Sequence, residues 1–301
     1  MKYLFLLFFL FCSTTAAARD MIRFYSCYGN QHELVVEGRL VKARDYNEQS
    51  PEDTLFQNFW QKMKQLVNRE LKHTPLVLVT GGRKFYGKSD DEGYFSFDIR
   101  SRMPFRNGQS VEIRLPEKKI AQSCSAMILP DKPMRGVISD FDDTLVISNV
   151  TNKVKLIYNL LFENYKQRNA VAGMAEWIRK ILSKNDSGTP SPFFIVTGSP
   201  RQLHESIVRF LKFHHFPNGV LITKKVHGKD AYSLFRQTDY KKEKIEKLIA
   251  LFPKIKWVFF GDSGEKDREI YTQIARRYPD KTEAVYIRDV RSGKITEIKV
   301  K

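Results

Sequence analysis

Cysteine is scarce in this 301-residue chain, which contains only three. Cys12 lies in an apolar N-terminal stretch, and the other two are Cys27 and Cys124. So few cysteines exclude a small scaffold held together mainly by disulfides. Cys27 and Cys124 could still form one disulfide if the chain is exported, or remain two buried thiols that pack as small apolar side chains.

Long apolar runs are also missing, because no stretch reaches the roughly 20 residues that span a bilayer as a helix. The longest, residues 3–12, follows Lys2 and precedes three alanines at 16–18. A basic start, a short apolar core and a small-residue site are typical of a cleaved secretory signal peptide. We therefore expect residues 1–18 to be a signal peptide and the mature protein to be exported and soluble, in a periplasm or the medium.

Acidic residues are outnumbered, with 34 Asp and Glu against 51 Lys and Arg and a formal charge of +17. A field of this sign favours anionic partners such as phospholipid headgroups or nucleic acid. Basic residues spread along a chain can equally form an ordinary solvated surface. No nucleic-acid-binding motif is present, which disfavours that partner. Repeats and low-complexity segments are absent too, and 42% hydrophobic content suits a folded protein.

Short strands separated by glycine turns dominate residues 19–130. The clearest runs are Glu33–Val41, Pro75–Thr80, Tyr94–Ile99 and Ser110–Leu115. This pattern predicts a small β-rich, sandwich-like domain. One helix is predicted inside it, where Ser50 can cap the start and apolar residues from Leu55 to Leu71 recur at helical spacing.

Strands and helices alternate over residues 131–301. The strand runs are Val137–Ile138, Phe193–Val196, Gly219–Ile222, Trp257–Phe260 and Ala284–Ile287. Helical patterns cover about 154–165, 174–182, 202–213, 242–252 and 267–277. Apolar strands with intervening helices predict an α/β domain whose parallel sheet is covered on both faces.

Three carboxylates in four residues follow the first of these strands, at Asp140, Asp142 and Asp143. Their crowding is costly at the end of a buried strand unless a cation binds there. The carboxyl end of a strand is also where open α/β sheets bind ligands. The spacing suits a nucleophile at Asp140, an acid/base group at Asp142 and a turn held by Thr144.

Two further strand ends should meet this acidic turn. The second strand continues into Thr197, Gly198 and Ser199, which offer hydroxyls and backbone N–H groups to an anion. Ser199 could replace or assist Thr197, or simply cap the next helix.

The fourth strand continues into Asp262, and Asp267 follows five residues later. Between the second and fourth strands, Lys241 opens a basic helix, although a run of lysines is more often a solvated face. Carboxylates with a lysine and a hydroxyl suit Mg²⁺-assisted phosphoryl transfer.

Together these segments resemble the four motifs of the haloacid dehalogenase superfamily of phosphatases. More narrowly, residues 130–290 resemble the catalytic domain of phosphatidate phosphatases of the actin-patch type. The segments that carry this resemblance are Ser139–Thr144, Ala172–Glu176, Gly198–Leu203, Phe216–Gly219 and Gly261–Tyr271. The resemblance implies a Rossmann-like parallel sheet of the haloacid dehalogenase type, preceded here by the small β-rich domain.

The resemblance also implies residue roles. Asp140 would attack phosphorus and form an aspartyl-phosphate, and Asp142 would protonate the leaving alcohol and then activate water. Mg²⁺ would be held by the carboxylates of Asp140 and Asp262 and by the backbone carbonyl of Asp142.

Substrate contacts follow from the same resemblance. Thr197 and Lys241 would bind the transferring phosphoryl group, and Asp267 would orient Lys241 or a metal-bound water. The remaining candidates for substrate binding are Thr144, Gly198 and Ser199. Three positions depart from the family pattern and border the phosphate site: Arg201, Tyr240 and the pair Glu265-Lys266.

The expected function is an exported Mg²⁺-dependent phosphomonoesterase that hydrolyses phosphatidate to diacylglycerol and phosphate. An anionic phospholipid would be its substrate, and peripheral contact with a membrane surface would follow. The stretch from Val154 to Arg168, basic with several apolar residues, could dock on such a surface or pack as a lid. The alternatives are a secreted acid phosphatase that acts broadly on soluble phosphomonoesters, and a catalytically silent module that binds anionic polymers.

Overall fold

The computed structural model describes residues 19–43, 69–147, 165–225 and 237–299, which form an α/β structure with a β-rich N-terminal region. The predicted signal peptide lies outside these ranges. So do most of the predicted helix at about 50–71 and most of the one at 154–165. None of the described helices is long and apolar enough to cross a bilayer.

The N-terminal region consists of two sheets. Its strands are β1 (Arg19–Asn30), β2 (Glu33–Ala43), β3 (Arg69–Glu70), β4 (Pro75–Thr80), β5 (Arg83–Lys88), β6 (Tyr94–Arg100), β7 (Ser110–Leu115), β8 (Ile120–Ser125) and β9 (Met127–Leu129). One sheet has the order β3-β2-β1-β9, with β6 also paired to β2, and the other has the order β5-β4-β7-β8. Alternating apolar residues from both sheets, such as Leu34, Leu78, Phe95 and Ile113, form one buried core.

The C-terminal region surrounds a single six-stranded sheet. Its strands are β10 (Met134–Ser139), β11 (Phe193–Pro200), β12 (Val220–Lys224), β13 (Ile255–Asp262), β14 (Thr282–Arg288) and β15 (Ile295–Glu297). Its helices are α1 (Met174–Leu182), α2 (His204–Phe213), α3 (Gln237–Leu251) and α4 (Asp267–Arg277). The strand order is β12-β11-β10-β13-β14-β15, in which β15 is antiparallel to β14 and the other neighbours are parallel.

Helices pack on both faces of this sheet, as its continuous apolar strands predict. Ile245 of α3 and Ile274 of α4 belong to the core on one face. Ile178 of α1 and Phe210 of α2 belong to the core on the other face. The chain runs from β10 to β12 on one side and then crosses to β13 on the other side, so β10 lies at the point where the strand order reverses.

Several element boundaries differ from the sequence prediction. The predicted helix cannot extend to Leu71, because Arg69–Glu70 pairs with β2 as a strand and Leu71 is buried in the core between the N-terminal sheets. Tyr165 and the following residues form turns instead of a helix end. Helix α3 begins at Gln237, earlier than predicted, and α2 is preceded by a 3-10 turn at Arg201–Leu203.

The two regions are packed against each other. Tyr28 of β1 contacts Phe194 of β11, with ring centroids 5.4 Å apart. The Asn30 side-chain amide donates a hydrogen bond of 2.9 Å to the carbonyl of Leu251 at the end of α3. These contacts place β1 against the C-terminal half of the chain, and a domain boundary at Pro130 stays a prediction.

Cys27 of β1 and Cys124 of β8 pack against the same N-terminal core as free thiols. Hydrogen bonding with Cys124, together with burial, raises the pKa of the Cys27 thiol. The two residues are therefore neighbours, as a disulfide would require. The disulfide itself stays a prediction, which the mobility of the protein on reducing and non-reducing gels would test.

His204, the first residue of α2, should make the fold sensitive to acid. Burial and the nearby Arg201 lower the pKa of His204 to about 3, and its ring lies 4.8 Å from that of Tyr25. Between that value and the ordinary pKa of about 6.5, the unfolded chain binds a proton that the folded chain does not. We expect the free energy of unfolding to fall by roughly 2 kcal/mol from pH 7 to pH 5 through this residue.

Urea unfolding at both pH values measures this loss. His204→Gln should be destabilised by acid less than the wild type by about that amount. Equal acid losses in the two proteins would show that His204 does not contribute.

Candidate active site

The acidic turn begins where β10 ends. The backbone N–H of Asp140 donates a 2.9 Å hydrogen bond to the carbonyl of Phe260 on β13, so the pairing of these two strands fixes its position. Asp143 has a φ of 55°, which turns the chain back and lets the N–H of Leu145 donate to the carbonyl of Phe141 at 3.0 Å. The carboxylate of Asp140 is 1% exposed and therefore desolvated. Thr144 is fully buried, and its hydroxyl oxygen has no hydrogen-bond partner among the described residues, so its role stays a prediction.

Asp142 faces a different set of partners from Asp140. The Ser199 hydroxyl donates a 2.6 Å hydrogen bond to one oxygen of Asp142. The other oxygen lies 3.5 Å from a guanidinium nitrogen of Arg168, which is buried over the rings of Phe141 and Phe210. The structure thus gives the two aspartates separate surroundings, as distinct chemical roles would require.

The segment Thr197–Ser199 at the end of β11 is buried next to the acidic turn. The backbone N–H of Ser199 donates a 3.0 Å hydrogen bond to the hydroxyl oxygen of Thr197. This bond leaves the hydroxyl proton of Thr197 available to an acceptor such as a phosphate oxygen. Ser199 contacts Asp142 through its own hydroxyl, and Gly198 lies between the two.

Lys241 of α3 lies at the centre of a buried ionic cluster. Its ammonium nitrogen is 2.8 Å from Asp140, 2.7 Å from Asp267 and 2.9 Å from Glu265. Burial opposes its charge, yet these carboxylates hold the pKa of Lys241 well above its ordinary value. Its neighbour Lys242 contacts Gln273 on the protein surface instead. The structure therefore brings Lys241, out of the run of lysines, to the acidic turn.

Asp262 ends β13 beside Asp140. One of its oxygens accepts hydrogen bonds from the N–H groups of Gly264 and Glu265, at 2.6 and 3.0 Å. Asp267 in turn accepts from the N–H of Asp262 at 3.4 Å. Gly261 permits this approach, because a Cβ there would lie 2.6 Å from the Cβ of Asp267.

The cluster carries more negative charge than its one lysine can balance. Carboxylate oxygens of Asp140, Asp262 and Glu265 lie within 4.8 Å of one another, and Asp267 adds a fourth carboxylate. Burial first, and then the neighbouring carboxylates, raise the pKa of Asp140 well above its ordinary value and that of Asp262 to about 8.

Two oxygens in this cluster are left for a cation. Within the described ranges, Oδ2 of Asp140 and Oδ2 of Asp262 are buried and have no hydrogen-bond partner. Desolvated carboxylate oxygens are the ligands that hard divalent cations prefer. These residues therefore fit a divalent metal.

Sequence reasoning missed three residues at this site. In the sequence, Glu265 stands out only as a departure from the family pattern. Its position three residues after Asp262 was the signal that it could join the acidic cluster. Arg168 and Arg288 carry no sequence signal, since they reach the turn only through the fold. Arg288, at the end of β14, donates a 2.9 Å hydrogen bond to the carbonyl of Asp143.

The match to a family model covers the C-terminal half of the chain. Residues 135–289 match the family model described as phosphatidate phosphatase APP1, catalytic domain. The phosphatidate phosphatase APP1 of Saccharomyces cerevisiae is 30% identical over 154 residues, which are 51% of this chain and 25% of the yeast protein. An uncharacterized Schizosaccharomyces pombe protein, C29B5.04c, is 25% identical over 211 residues, which are 67% of this chain and 34% of that protein.

This chain therefore spans about a quarter to a third of the length of these two fungal relatives. Among solved structures, the carbohydrate acetylesterase XAC1771 from Xanthomonas citri matches with a TM-score of 0.30 and 8% identity. That match covers 89% of this chain and 68% of the esterase chain. A TM-score this low does not indicate a shared fold.

Proposed function

This chain belongs to the family of the phosphatidate phosphatase APP1 catalytic domain, and on that premise we propose that it hydrolyses phosphatidate to diacylglycerol and phosphate. The observation that carries the proposal is the convergence of Asp140, Asp142, Thr197, Lys241 and Asp262 at one edge of the C-terminal sheet. The parallel strand order with β10 at its reversal point supports a Rossmann-like core of the haloacid dehalogenase type.

Mg²⁺ is the cofactor that we propose for the acidic cluster. Asp140 and Asp262 would hold it through their carboxylates, and Asp142 through its backbone carbonyl. When bound, Mg²⁺ supplies positive charge that offsets the charge of the phosphate oxygens. Lys241 adds a fixed cation at the same place, and Asp267 holds Lys241 in position through a 2.7 Å ion pair.

Catalysis then proceeds in two displacements at phosphorus. A carboxylate oxygen of Asp140 forms a bond to phosphorus while the bond from phosphorus to the lipid oxygen breaks, and Asp142 gives its proton to that oxygen. Water then attacks phosphorus, the bond between phosphorus and the Asp140 oxygen breaks, Asp142 takes the proton of the water, and phosphate leaves. The hydroxyl of Thr197 and the ammonium of Lys241 bind the phosphoryl oxygens in both steps.

Removal of divalent metal should abolish the reaction. With one lysine facing four carboxylates, a phosphate dianion would be repelled from the cluster unless a cation is added. We expect phosphate release from phosphatidate in mixed micelles to fall to background in EDTA and to return with excess Mg²⁺. Activity that survives exhaustive dialysis against a chelator would contradict the metal part of the proposal.

The substrate is tested by a panel of lipid and soluble phosphomonoesters under the same conditions. Phosphatidate should be hydrolysed with the highest kcat/KM. Vigorous hydrolysis of nucleotides or sugar phosphates without hydrolysis of phosphatidate would instead favour a broad-specificity acid phosphatase.

Export and contact with a lipid surface are also part of the proposal. Their support is the signal-peptide pattern at residues 1–18 and the formal charge of +17, which favours anionic lipid headgroups. Sedimentation with anionic vesicles, weakened by added salt, measures the lipid contact. Fractionation of producing cells measures export.

A further inference from the structure

Glu37 of β2 reaches from the β-rich region into the catalytic half of the chain. One of its carboxylate oxygens lies 2.8 Å from a guanidinium nitrogen of Arg201, and both side chains are largely buried, at 15% and 9% exposed. Arg201 follows β11 directly and is two residues beyond Ser199, the hydroxyl donor to Asp142. The position of Arg201 therefore constrains the segment that holds Thr197 and Ser199.

Further groups fix the Arg201 side chain. Its guanidinium carbon lies 5.8 Å from the ring centroid of Tyr25 and 5.3 Å from that of Tyr94, both in the β-rich region. Its Nε donates a 3.4 Å hydrogen bond to the carbonyl of Thr223 on β12. A planar guanidinium suits such combined stacking and pairing. Glu37 supplies the carboxylate that pairs with this buried cation.

The second oxygen of Glu37 faces helix α3. It lies 4.0 Å from the ammonium nitrogen of Lys244, which is three residues after Lys241 and thus one helical turn away. The Lys244 ammonium also lies 5.9 Å from the ring centroid of Tyr240, the residue just before Lys241. Glu37 thus pairs with two cations, Arg201 just after the strand that carries Thr197 and Lys244 on the helix that carries Lys241.

We propose that Glu37 is a positioning residue that holds the segment after β11 and helix α3 in a fixed relative position. The β-rich region would then be part of the catalytic unit, although Glu37 itself does not touch the reacting atoms. Without the Glu37 charge, Arg201 would be a buried cation without its partner and would move toward solvent. Thr197 and Lys241 would then lose their shared alignment on the phosphoryl group. This inference rests on the proposed function.

Glu37→Gln tests the inference, and Glu33→Gln is a matched control. Glu33 lies on the same strand and the same face as Glu37. Its partner differs, because the Nε of Arg100 lies 3.5 Å from the Glu33 carboxylate on a side chain that is 85% exposed. We expect Glu37→Gln to lower kcat by roughly 10- to 100-fold on phosphatidate and on a soluble phosphomonoester, with much smaller changes in KM. Glu33→Gln should stay within about twofold of the wild type.

Two further variants separate a role in positioning from a role in folding. Glu37→Asp keeps the charge and should recover part of the lost kcat. Lys244→Met removes only the longer ion pair, the one of 4.0 Å between Lys244 and Glu37, and should lower kcat by a smaller factor. This variant replaces Glu37→Gln in the test if Glu37→Gln does not fold.

Hydrogen exchange supplies a measurement that does not depend on activity. Residues 197–203 and the first turns of α3 should exchange faster in Glu37→Gln than in Glu33→Gln at equal thermal stability. If the wild type releases no phosphate from any phosphomonoester, the proposed function fails while this exchange difference still tests the coupling. Unchanged exchange in both segments, or a kcat within twofold of the wild type, would overturn the role of Glu37.

Discussion

Replacing Asp140 with asparagine should lower phosphate release by roughly 10⁴-fold or more, because the amide cannot attack phosphorus. The shape of the side chain is preserved, so substrate access should not change. Both Asp140 oxygens are buried, and the nearest charged partner is Lys241 at 2.8 Å. The expected loss is in kcat, measured as Mg²⁺-dependent phosphate release at saturating phosphatidate.

The same substitution should leave the fold intact. Asp140 is one of three carboxylates that pair with Lys241, and its raised pKa reflects the cost of its charge in a buried place. Removing that charge relieves repulsion with Asp262, while Asp267 and Glu265 still pair with Lys241. We therefore expect the metal-free Asp140→Asn protein to melt at a temperature equal to or above that of the wild type.

Asp143→Asn is the matched control for Asp140→Asn. Asp143 lies in the same turn with a φ of 55°, a conformation that asparagine tolerates as well as aspartate. Its carbonyl, which accepts from Arg288, is unaffected by the change. Activity should stay within about tenfold of the wild type, since no step uses this side chain. Equal activity of Asp140→Asn and wild type would contradict the role of Asp140 as nucleophile, whereas no turnover by the wild type would instead favour a silent binding module.

The sequence predicted where Asp140 and Asp262 lie, because each comes at the end of an apolar strand. Val137–Ile138 and Trp257–Phe260 are continuous apolar runs, so the strands and the edge at which Asp140 and Asp262 meet follow from the pattern alone. Thr197 and Ser199 also lie next to the turn, and their roles stay a prediction. Which hydroxyl contacts Asp142 depends on side-chain geometry, and the structure shows that it is Ser199.

Contacts between distant segments were beyond the sequence. Arg201 and Glu37 are 164 residues apart, and their pairing depends on how the β-rich region packs on the C-terminal sheet. Strand β5 was missed because its alternating pattern of half-buried and exposed residues is rich in charge, with Arg83 and Lys84 at its start. Arg168 was missed as well. It approaches Asp142 because the chain turns after Tyr165, where the sequence predicted the end of a helix.

Lys241→Met should have the second large effect, on both stability and catalysis. The ammonium of Lys241 is 1% exposed and lies within 2.9 Å of the carboxylates of Asp140, Glu265 and Asp267. Removing it leaves buried carboxylates without a cation, which typically costs about 3–5 kcal/mol. Phosphate release should also fall by roughly 10³-fold, because a group that stabilises the transferring phosphoryl oxygens is lost.

Divalent metal should partly restore the stability of Lys241→Met but not its activity. With Lys241 gone, Asp140, Asp262 and Glu265 carry uncompensated charge that a cation at Asp140 and Asp262 can offset. Mg²⁺ should therefore raise the melting temperature of Lys241→Met by more than it raises that of the wild type. Lys242→Met, on the next residue of α3, is the control and should change stability by less than about 0.5 kcal/mol. If Mg²⁺ shifts all three proteins equally, the cation does not bind at the carboxylates that Lys241 contacts.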